Sequence, residues 1–200
     1  MPLRTLQVKP DAGVRKKPQC RALLVHGMGS DPSWWTPFNP GLREIGVAPV
    51  ALALPSLEAH SPEAWCTMVQ QQVRPKPVLL IGHSLGAAVC LTVALDESVG
   101  RLVLLACPPF VEGFNPSPPR TKLSPAALAR VERFLRIASR RAGQVAVPAV
   151  HFVGAKDRSV PVAQARQLPF PVVVIPGVGH QLNRSPHAVS AILKELARRL

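Results

Sequence analysis

The stretch that decides the fold reads VLLIGHSLGAA and spans residues 78–88. Its apolar start predicts a buried strand, and a G-x-S-x-G motif leads from that strand directly into a predicted helix. Such a motif places its serine, here Ser84, on a sharp and strained turn with the hydroxyl lifted clear of the sheet. Gly82 and Gly86 stand where two backbone segments approach too closely for a Cβ. Ser84 is therefore the candidate nucleophile, and a glycine-rich turn with an incidental serine is the alternative.

A second glycine-rich turn follows an earlier predicted strand. The segment LLVHGMGS at residues 23–30 ends in His-Gly-x-Gly and a serine. A nucleophile that attacks a carbonyl group needs N–H donors aimed at the oxygen where negative charge develops. We expect the backbone amides of Met28 and Leu85 to form this oxyanion hole, with Leu85 at the N-terminus of a helix. An ordinary glycine turn is the alternative for the Met28 loop.

The rest of the chain alternates short apolar runs with longer amphipathic ones. This alternation predicts an α/β fold, a three-layer sandwich in which a mostly parallel sheet of about six strands carries helices on both faces. The pattern leaves the strand order open. The predicted strands span residues 22–26, 47–54, 78–82, 101–107, 149–153 and 171–175. The predicted helices span residues 62–73, 85–95, 125–141 and 186–200. Three of these helices begin with proline after serine, which is typical of an N-cap.

The composition fits one globular domain. The 200 residues are 47% hydrophobic and 18% charged, with a formal net charge of +13, whereas disordered chains are poor in apolar residues and rich in charge. We predict a basic N-terminal arm at residues 1–20 and a single domain at residues 21–200. Within that domain we predict a proline-rich flap at 108–123, which forms only a minimal cap, and an arginine-rich helix at 124–141.

The composition and the motifs also exclude several classes of partner and cofactor. No nucleic acid partner is expected, because the chain has no tyrosine and no nucleic-acid-binding motif. The arginine-rich surface is either a solvated face or weakly attracted to anionic surfaces and substrates. No apolar run is long enough for a membrane span and the N-terminus lacks the apolar core of a secretory signal, which predicts a cytoplasmic location. Four cysteines without disulfide or metal-ligand spacing, and no phosphate-binding glycine loop, predict no metal and no cofactor.

Two loops further along the chain add a carboxylate and an imidazole. The segment FVGAKDRSVP at residues 152–161 ends a predicted strand in Gly-x-x-Asp, and VIPGVGH at residues 174–180 ends the next one in a histidine. Together with the G-x-S-x-G motif, these loops resemble those of the α/β-hydrolase superfamily. The resemblance extends from about Arg21 to the C-terminus.

The resemblance implies three catalytic residues, because this superfamily orders them as nucleophile, acid and histidine along the chain. They are Ser84, Asp157 and His180. The trio also suits the chemistry, since a serine hydroxyl needs a base to take its proton and an imidazole needs a carboxylate to fix its tautomer. Some members take the acid from one strand earlier, which here would be Glu112. An exposed salt bridge is the alternative for Asp157, and the remaining histidines within predicted elements and turns (His26, His83 and His151) are expected to be structural.

The resemblance also implies a hydrolase, and the serine nucleophile favours a small-molecule carboxylic ester as substrate, cleaved through an acyl-enzyme intermediate. Thioesters, lactones and amides would use the same mechanism, and a non-catalytic ligand-binding protein is the alternative from another class. Four aromatic residues are expected to line the substrate pocket, with ordinary core packing as the alternative: Trp34, Trp35, Phe110 and Phe114.

Overall fold

The computed structural model describes residues 20–73, 78–95, 99–110 and 123–200. The predictions for the basic arm at 1–20 (apart from Cys20), for Glu112 and Phe114, and for most of the flap lie outside the described residues. Across the described ranges, no helix is both long and apolar enough to cross a membrane.

The described strands form one six-stranded sheet in which every neighbouring pair is parallel. The strands are β1 Cys20–Val25, β2 Val47–Ala51, β3 Val78–His83, β4 Val99–Leu105, β5 Ala149–Gly154 and β6 Val172–Ile175. Their order is β2-β1-β3-β4-β5-β6, so the direction of winding reverses between β1 and β3. In open parallel sheets, ligands bind in the crevice outside the carboxyl ends of the strands at such a reversal. The Met28 loop follows β1 and Ser84 follows β3, so both lie at this crevice.

Helices cover both faces of the sheet, and the predicted fold class is confirmed. The helices are α1 Asn39–Glu44, α2 Pro62–Val73, α3 Leu85–Val93, α4 Pro125–Arg141, α5 Val162–Ala165 and α6 Pro186–Arg199. Buried side chains of α2, α3 and α4 form one core with one face of the sheet. Those of α1 and α6 form a second core with the other face. The short α5 packs against β5.

Strand β3 is buried over its whole length, which makes it a rigid support for Ser84. A strand covered on both faces reads as a continuous apolar run, because both sets of alternating side chains enter a core. Leu80 packs in the core under α2 and α3, while its neighbour Ile81 packs in the core under α1 and α6.

Serine side chains cap α2, α4 and α6, as predicted. The hydroxyl of Ser61 accepts a hydrogen bond from the Ala64 amide at 3.4 Å. The hydroxyl of Ser124 accepts a hydrogen bond from the Ala127 amide at 3.2 Å, and that of Ser185 accepts one from the Ala188 amide at 3.2 Å. The predicted division of α4 into an apolar and an arginine-rich face is also confirmed. Its buried side chains include Val131, Phe134, Leu135 and Ala138, and its exposed ones include Arg133, Arg136, Arg140 and Arg141.

Several element boundaries differ from prediction. Strand β4 ends at Leu105, two residues early, because Ala106 has a φ of 48°, a left-handed conformation that no strand accommodates. Strand β2 ends at Ala51 rather than at residue 54. The sequence pattern does not predict α1 and α5, whose six and four residues are too few to show a helical period.

Candidate active site

Ser84 lies on a strained turn between β3 and α3. Its φ of 53° and ψ of −124° belong to a conformation that residues other than glycine rarely adopt. The two glycines of the motif make the turn possible. A Cβ on Gly82 would lie 2.4 Å from the carbonyl oxygen of Gly86, and a Cβ on Gly86 would lie 2.3 Å from that of His26. The Ser84 amide donates to the Leu105 carbonyl at 2.9 Å, which ties the turn to the end of β4.

The imidazole of His180 lies between Ser84 and Asp157. Its Nε2 is 3.1 Å from the Ser84 Oγ, and its Nδ1 is 2.9 Å from Asp157 Oδ2. An ionised carboxylate only accepts hydrogen bonds, so Nδ1 carries the proton and Nε2 is left to accept one from the serine hydroxyl. The His180 side chain is one-fifth exposed and that of Asp157 is fully buried. The arrangement therefore links a reachable imidazole to a shielded carboxylate.

The Asp157 carboxylate is held by its own loop. Its Oδ1 accepts hydrogen bonds from the amides of Ser159 and Val160, both at 2.8 Å, and its Oδ2 is left for His180. The loops of Asp157 and His180 are also in close contact. A Cβ on Gly154 would lie 2.3 Å from the Val178 carbonyl oxygen. This contact explains why Gly154 stands in the Gly-x-x-Asp pattern. The burial of Asp157 argues against the alternative that it forms only an exposed salt bridge.

The Met28 loop abuts the turn that carries Ser84. A Cβ on Gly27 would lie 3.0 Å from the Cβ of Ser84, so the two backbones are in contact. Within the described part of the chain, the amides of Met28 and Leu85 donate to no backbone carbonyl outside the helices and strands. The predicted oxyanion hole requires donors that are not already bonded in this way.

The other buried histidines bond to the backbone. His26 Nε2 accepts from the Leu54 amide at 3.4 Å, and His151 Nε2 accepts from the Cys107 amide at 3.0 Å. His83 Nε2 lies 3.0 Å from the carbonyl oxygen of His180. Burial lowers the pKa of His83 to about 3 and that of His151 to about 4, so both rings are neutral near pH 7.

Buried thiols offer no rival nucleophile. Cys66, Cys90 and Cys107 are buried, and burial raises the pKa of each thiol, that of Cys66 to about 12. Only the thiolate is nucleophilic, so these groups are inert near neutral pH. In the ranges given above, His, Cys, Asp and Glu side chains form no cluster of three or more that could hold a metal ion.

A sequence profile of the alpha/beta hydrolase family matches residues 22–146, from β1 through α4. The chain belongs to the alpha/beta hydrolase family. The match contains Ser84 and the Met28 loop but ends before Asp157 and His180, whose place in the site rests on the geometry above. A search of curated proteins finds no sequence match for this hydrolase.

Solved structures share the fold of this hydrolase at low sequence identity. The monoacylglycerol lipase of Paleococcus ferrophilus has a TM-score of 0.76 at 15% identity, over 91% of this chain and 94% of that one. The esterase domain of a Rhodothermus marinus protein has a TM-score of 0.68 at 24% identity, over 93% and 89%. An alpha/beta hydrolase from the metagenome of sediments of the Mar Chica lagoon, Morocco, has a TM-score of 0.71 at 20% identity, over 92% of this chain and 93% of that one. These likenesses extend over nearly the whole of both chains.

Two of the four aromatic residues predicted to line the pocket of this hydrolase are buried in a core. Trp35 is fully buried and Trp34 is 7% exposed, and both pack in the core under α1 and α6. The pocket-lining prediction is therefore wrong for Trp35, which has no surface to offer a substrate, and core packing accounts for Trp34. Phe110 is half-buried, with the Arg136 guanidinium 4.1 Å from its ring centroid.

Sequence reasoning did not find the hydrogen bonds between Trp34 and the loop that carries the candidate base of this hydrolase. Trp34 Nε1 donates to Gln181 Oε1 at 3.0 Å, and Asn183 Nδ2 donates to the Trp34 carbonyl at 3.1 Å. These partners lie 147 and 149 residues apart in the chain. No local signal marks such a pair, although Gln181 directly follows the candidate base.

Proposed function

We propose that this hydrolase is a serine esterase that cleaves carboxylic esters through an acyl-enzyme intermediate. The observation that carries the proposal is the line of hydrogen bonds from Ser84 through His180 to Asp157, at 3.1 Å and 2.9 Å. A nucleophile, a base and a group that orients the base, in mutual hydrogen-bond contact, are the signature of nucleophilic catalysis.

In the first half of the reaction, the Ser84 Oγ attacks the ester carbonyl carbon while His180 Nε2 takes its proton. Asp157 stabilises the imidazolium that results and keeps its ring in place. The amides of Met28 and Leu85 donate to the carbonyl oxygen as it gains negative charge. The bond from carbon to the alkoxy oxygen then breaks, and His180 gives the proton to the leaving alcohol.

In the second half, a water molecule takes the place of the alcohol. His180 Nε2 accepts a proton from this water as its oxygen attacks the acyl carbon. The same two amides hold the oxyanion, and the bond between the acyl carbon and Ser84 Oγ breaks. The proton returns from His180 to Ser84, which restores the free enzyme and releases the carboxylic acid.

Esters are the first substrate class to test. The structural neighbours include proteins described as a monoacylglycerol lipase and as an esterase domain. A thioester would follow the same steps, and one neighbour is described as a thioesterase domain of the curacin biosynthetic pathway. The shape of the pocket decides between such substrates.

The test is turnover of p-nitrophenyl esters of graded acyl chain length, run with the wild-type chain and with Ser84→Ala. We expect hydrolysis by the wild-type chain and a loss on the order of a millionfold in kcat for the variant. Labelling by a fluorophosphonate probe should likewise require Ser84. Labelling that persists in Ser84→Ala would place the nucleophile elsewhere, and a wild-type chain inert to esters and probe would favour a ligand-binding protein.

A further inference from the structure

His83, the residue before Ser84, is a buried imidazole that the proposed mechanism does not use. It is 1% exposed, and its Nε2 lies 3.0 Å from the backbone carbonyl oxygen of His180. A carbonyl oxygen only accepts hydrogen bonds, so His83 Nε2 carries the proton and donates it. The side chain next to the candidate nucleophile therefore holds the backbone of the candidate base.

The other ring nitrogen of His83, Nδ1, is buried without a hydrogen bond within the described part of the chain. It faces Gly27, where a Cβ would lie 3.1 Å from it. A buried acceptor without a partner is destabilising, and few of them are found in native proteins. An imidazole that leaves one nitrogen unsatisfied here points to a role for the bond made by the other.

Trp34 makes hydrogen bonds to the same loop. Its ring stacks on that of His83, with centroids 4.1 Å apart and planes 20° from parallel. Its Nε1 donates to the Gln181 side chain at 3.0 Å, and its carbonyl accepts from Asn183 Nδ2 at 3.1 Å. The stacked pair thus makes three hydrogen bonds to residues 180–183.

No strand reaches this loop, and few backbone hydrogen bonds tie it to the rest of the described chain. Strand β6 ends at Ile175, and α6 begins at Pro186. Between them, the Val178 carbonyl accepts from the Lys156 amide at 2.8 Å, and the His180 carbonyl accepts from the Leu182 amide at 3.1 Å. Only the first of these two bonds reaches outside the loop.

We propose that Trp34 and His83 form a positioning pair that holds the His180 loop, so that the imidazole stays within reach of both Ser84 and Asp157. The pair joins the three loops of the site, since Trp34 follows the Met28 loop and His83 precedes Ser84. This inference rests on the function proposed above, and it assigns neither residue a contact with the substrate.

Four variants separate the hydrogen bonds from the packing. His83→Phe keeps a ring to stack on Trp34 but loses the Nε2 donor, whereas His83→Gln loses the ring and restores an N–H donor at a similar reach. Trp34→Phe removes the donor to Gln181. Trp35→Phe is its matched control, because Trp35 is also buried but its Nε1 has no partner in the described chain.

The readouts are kcat, KM, the rate of fluorophosphonate labelling, and the NMR signal of the proton shared by His180 Nδ1 and Asp157. We expect His83→Phe to lower kcat by about ten- to a hundredfold with KM within about twofold, because a displacement of about 1 Å is that costly to catalysis. The shared-proton signal should weaken or broaden. His83→Gln should recover most of kcat, and Trp34→Phe should lower kcat severalfold more than Trp35→Phe, all at temperatures where circular dichroism shows folded protein.

The proposal is overturned if His83→Phe keeps wild-type kcat, if His83→Gln is as impaired as His83→Phe, or if Trp34→Phe and Trp35→Phe behave alike. Should His83→Phe fail to fold, His83→Gln and the tryptophan pair still decide. A wild-type chain without esterase activity would refute the proposed function instead. The shared-proton signal would then still show whether the pair holds His180.

Discussion

Replacing Asp157 with asparagine should disable the site without dismantling it. Asp157 Oδ1 accepts from the amides of Ser159 and Val160, and Oδ2 faces His180 Nδ1 at 2.9 Å. In Asp157→Asn the two backbone amides select the remaining oxygen, so the NH2 group faces His180. This group donates to Nδ1, which forces the ring proton onto Nε2. An Nε2 that already carries a proton cannot take one from Ser84.

The expected loss in kcat is up to about ten-thousandfold, which is the effect of the wrong imidazole tautomer in a triad, and it corresponds to about 5 kcal/mol in the activation free energy. Ester hydrolysis under saturating substrate measures it. Arg158→Gln is the matched control, because it removes a flanking exposed charge and leaves the carboxylate in place. Glu112→Gln tests the alternative acid and should keep most activity. If Asp157→Asn stays within about tenfold of wild type while Glu112→Gln loses activity, the assignment of the acid is refuted.

Three further outcomes follow from the same structure. Ser84 has a φ of 53°, which glycine adopts more easily than alanine. The free energy of unfolding in urea should therefore be about 1 kcal/mol higher for Ser84→Gly than for Ser84→Ala. Equal midpoints of urea unfolding for the two variants would contradict strain at this turn. Burial lowers the pKa of His83 to about 3 and that of His151 to about 4, so at acidic pH the unfolded chain binds more protons than the folded one. As the pH drops from about 6.5, the free energy of unfolding measured in urea should decrease. The decrease should be less steep in His151→Gln. The exposed arginines of α4 should make hydrolysis of anionic esters faster than that of neutral ones at low salt. This advantage should shrink above about 0.1 M salt, where charges more than about 10 Å apart are screened. A preference that changes neither with salt nor in the double variant Arg133→Gln, Arg140→Gln would show that the arginines do not attract the substrate.

Local sequence chemistry predicts a large part of this fold. The Ser-Pro starts of α2, α4 and α6 and the continuous apolar run of β3 are set by neighbouring residues, and each lies where the pattern indicates. The turn at Ser84 is partly local: Gly82 is required by the nearby Gly86 carbonyl, whereas Gly86 is required by the distant His26 carbonyl.

Features that depend on distant residues escape such reasoning. The order of the strands depends on which edges pair after the chain has crossed the sheet, and the pattern of one strand does not encode its neighbour. The tryptophans show the same limit. Their apolar character predicts burial or a pocket equally well, and the partners of Trp34 in the His180 loop are too distant in the chain for a local pattern to indicate.

The parallel sheet also sets when the candidate site comes into being. Each strand pairing needs a crossover, and pairings between distant residues form slowly. Ser84 follows β3, while His180 follows β6, which is the last strand of the described sheet and pairs there with β5. A nascent chain that has just completed β3 therefore carries Ser84 without the candidate base, and we expect it to react with a fluorophosphonate only after β6 has docked. The time at which labelling appears during refolding would then measure when β6 pairs with β5.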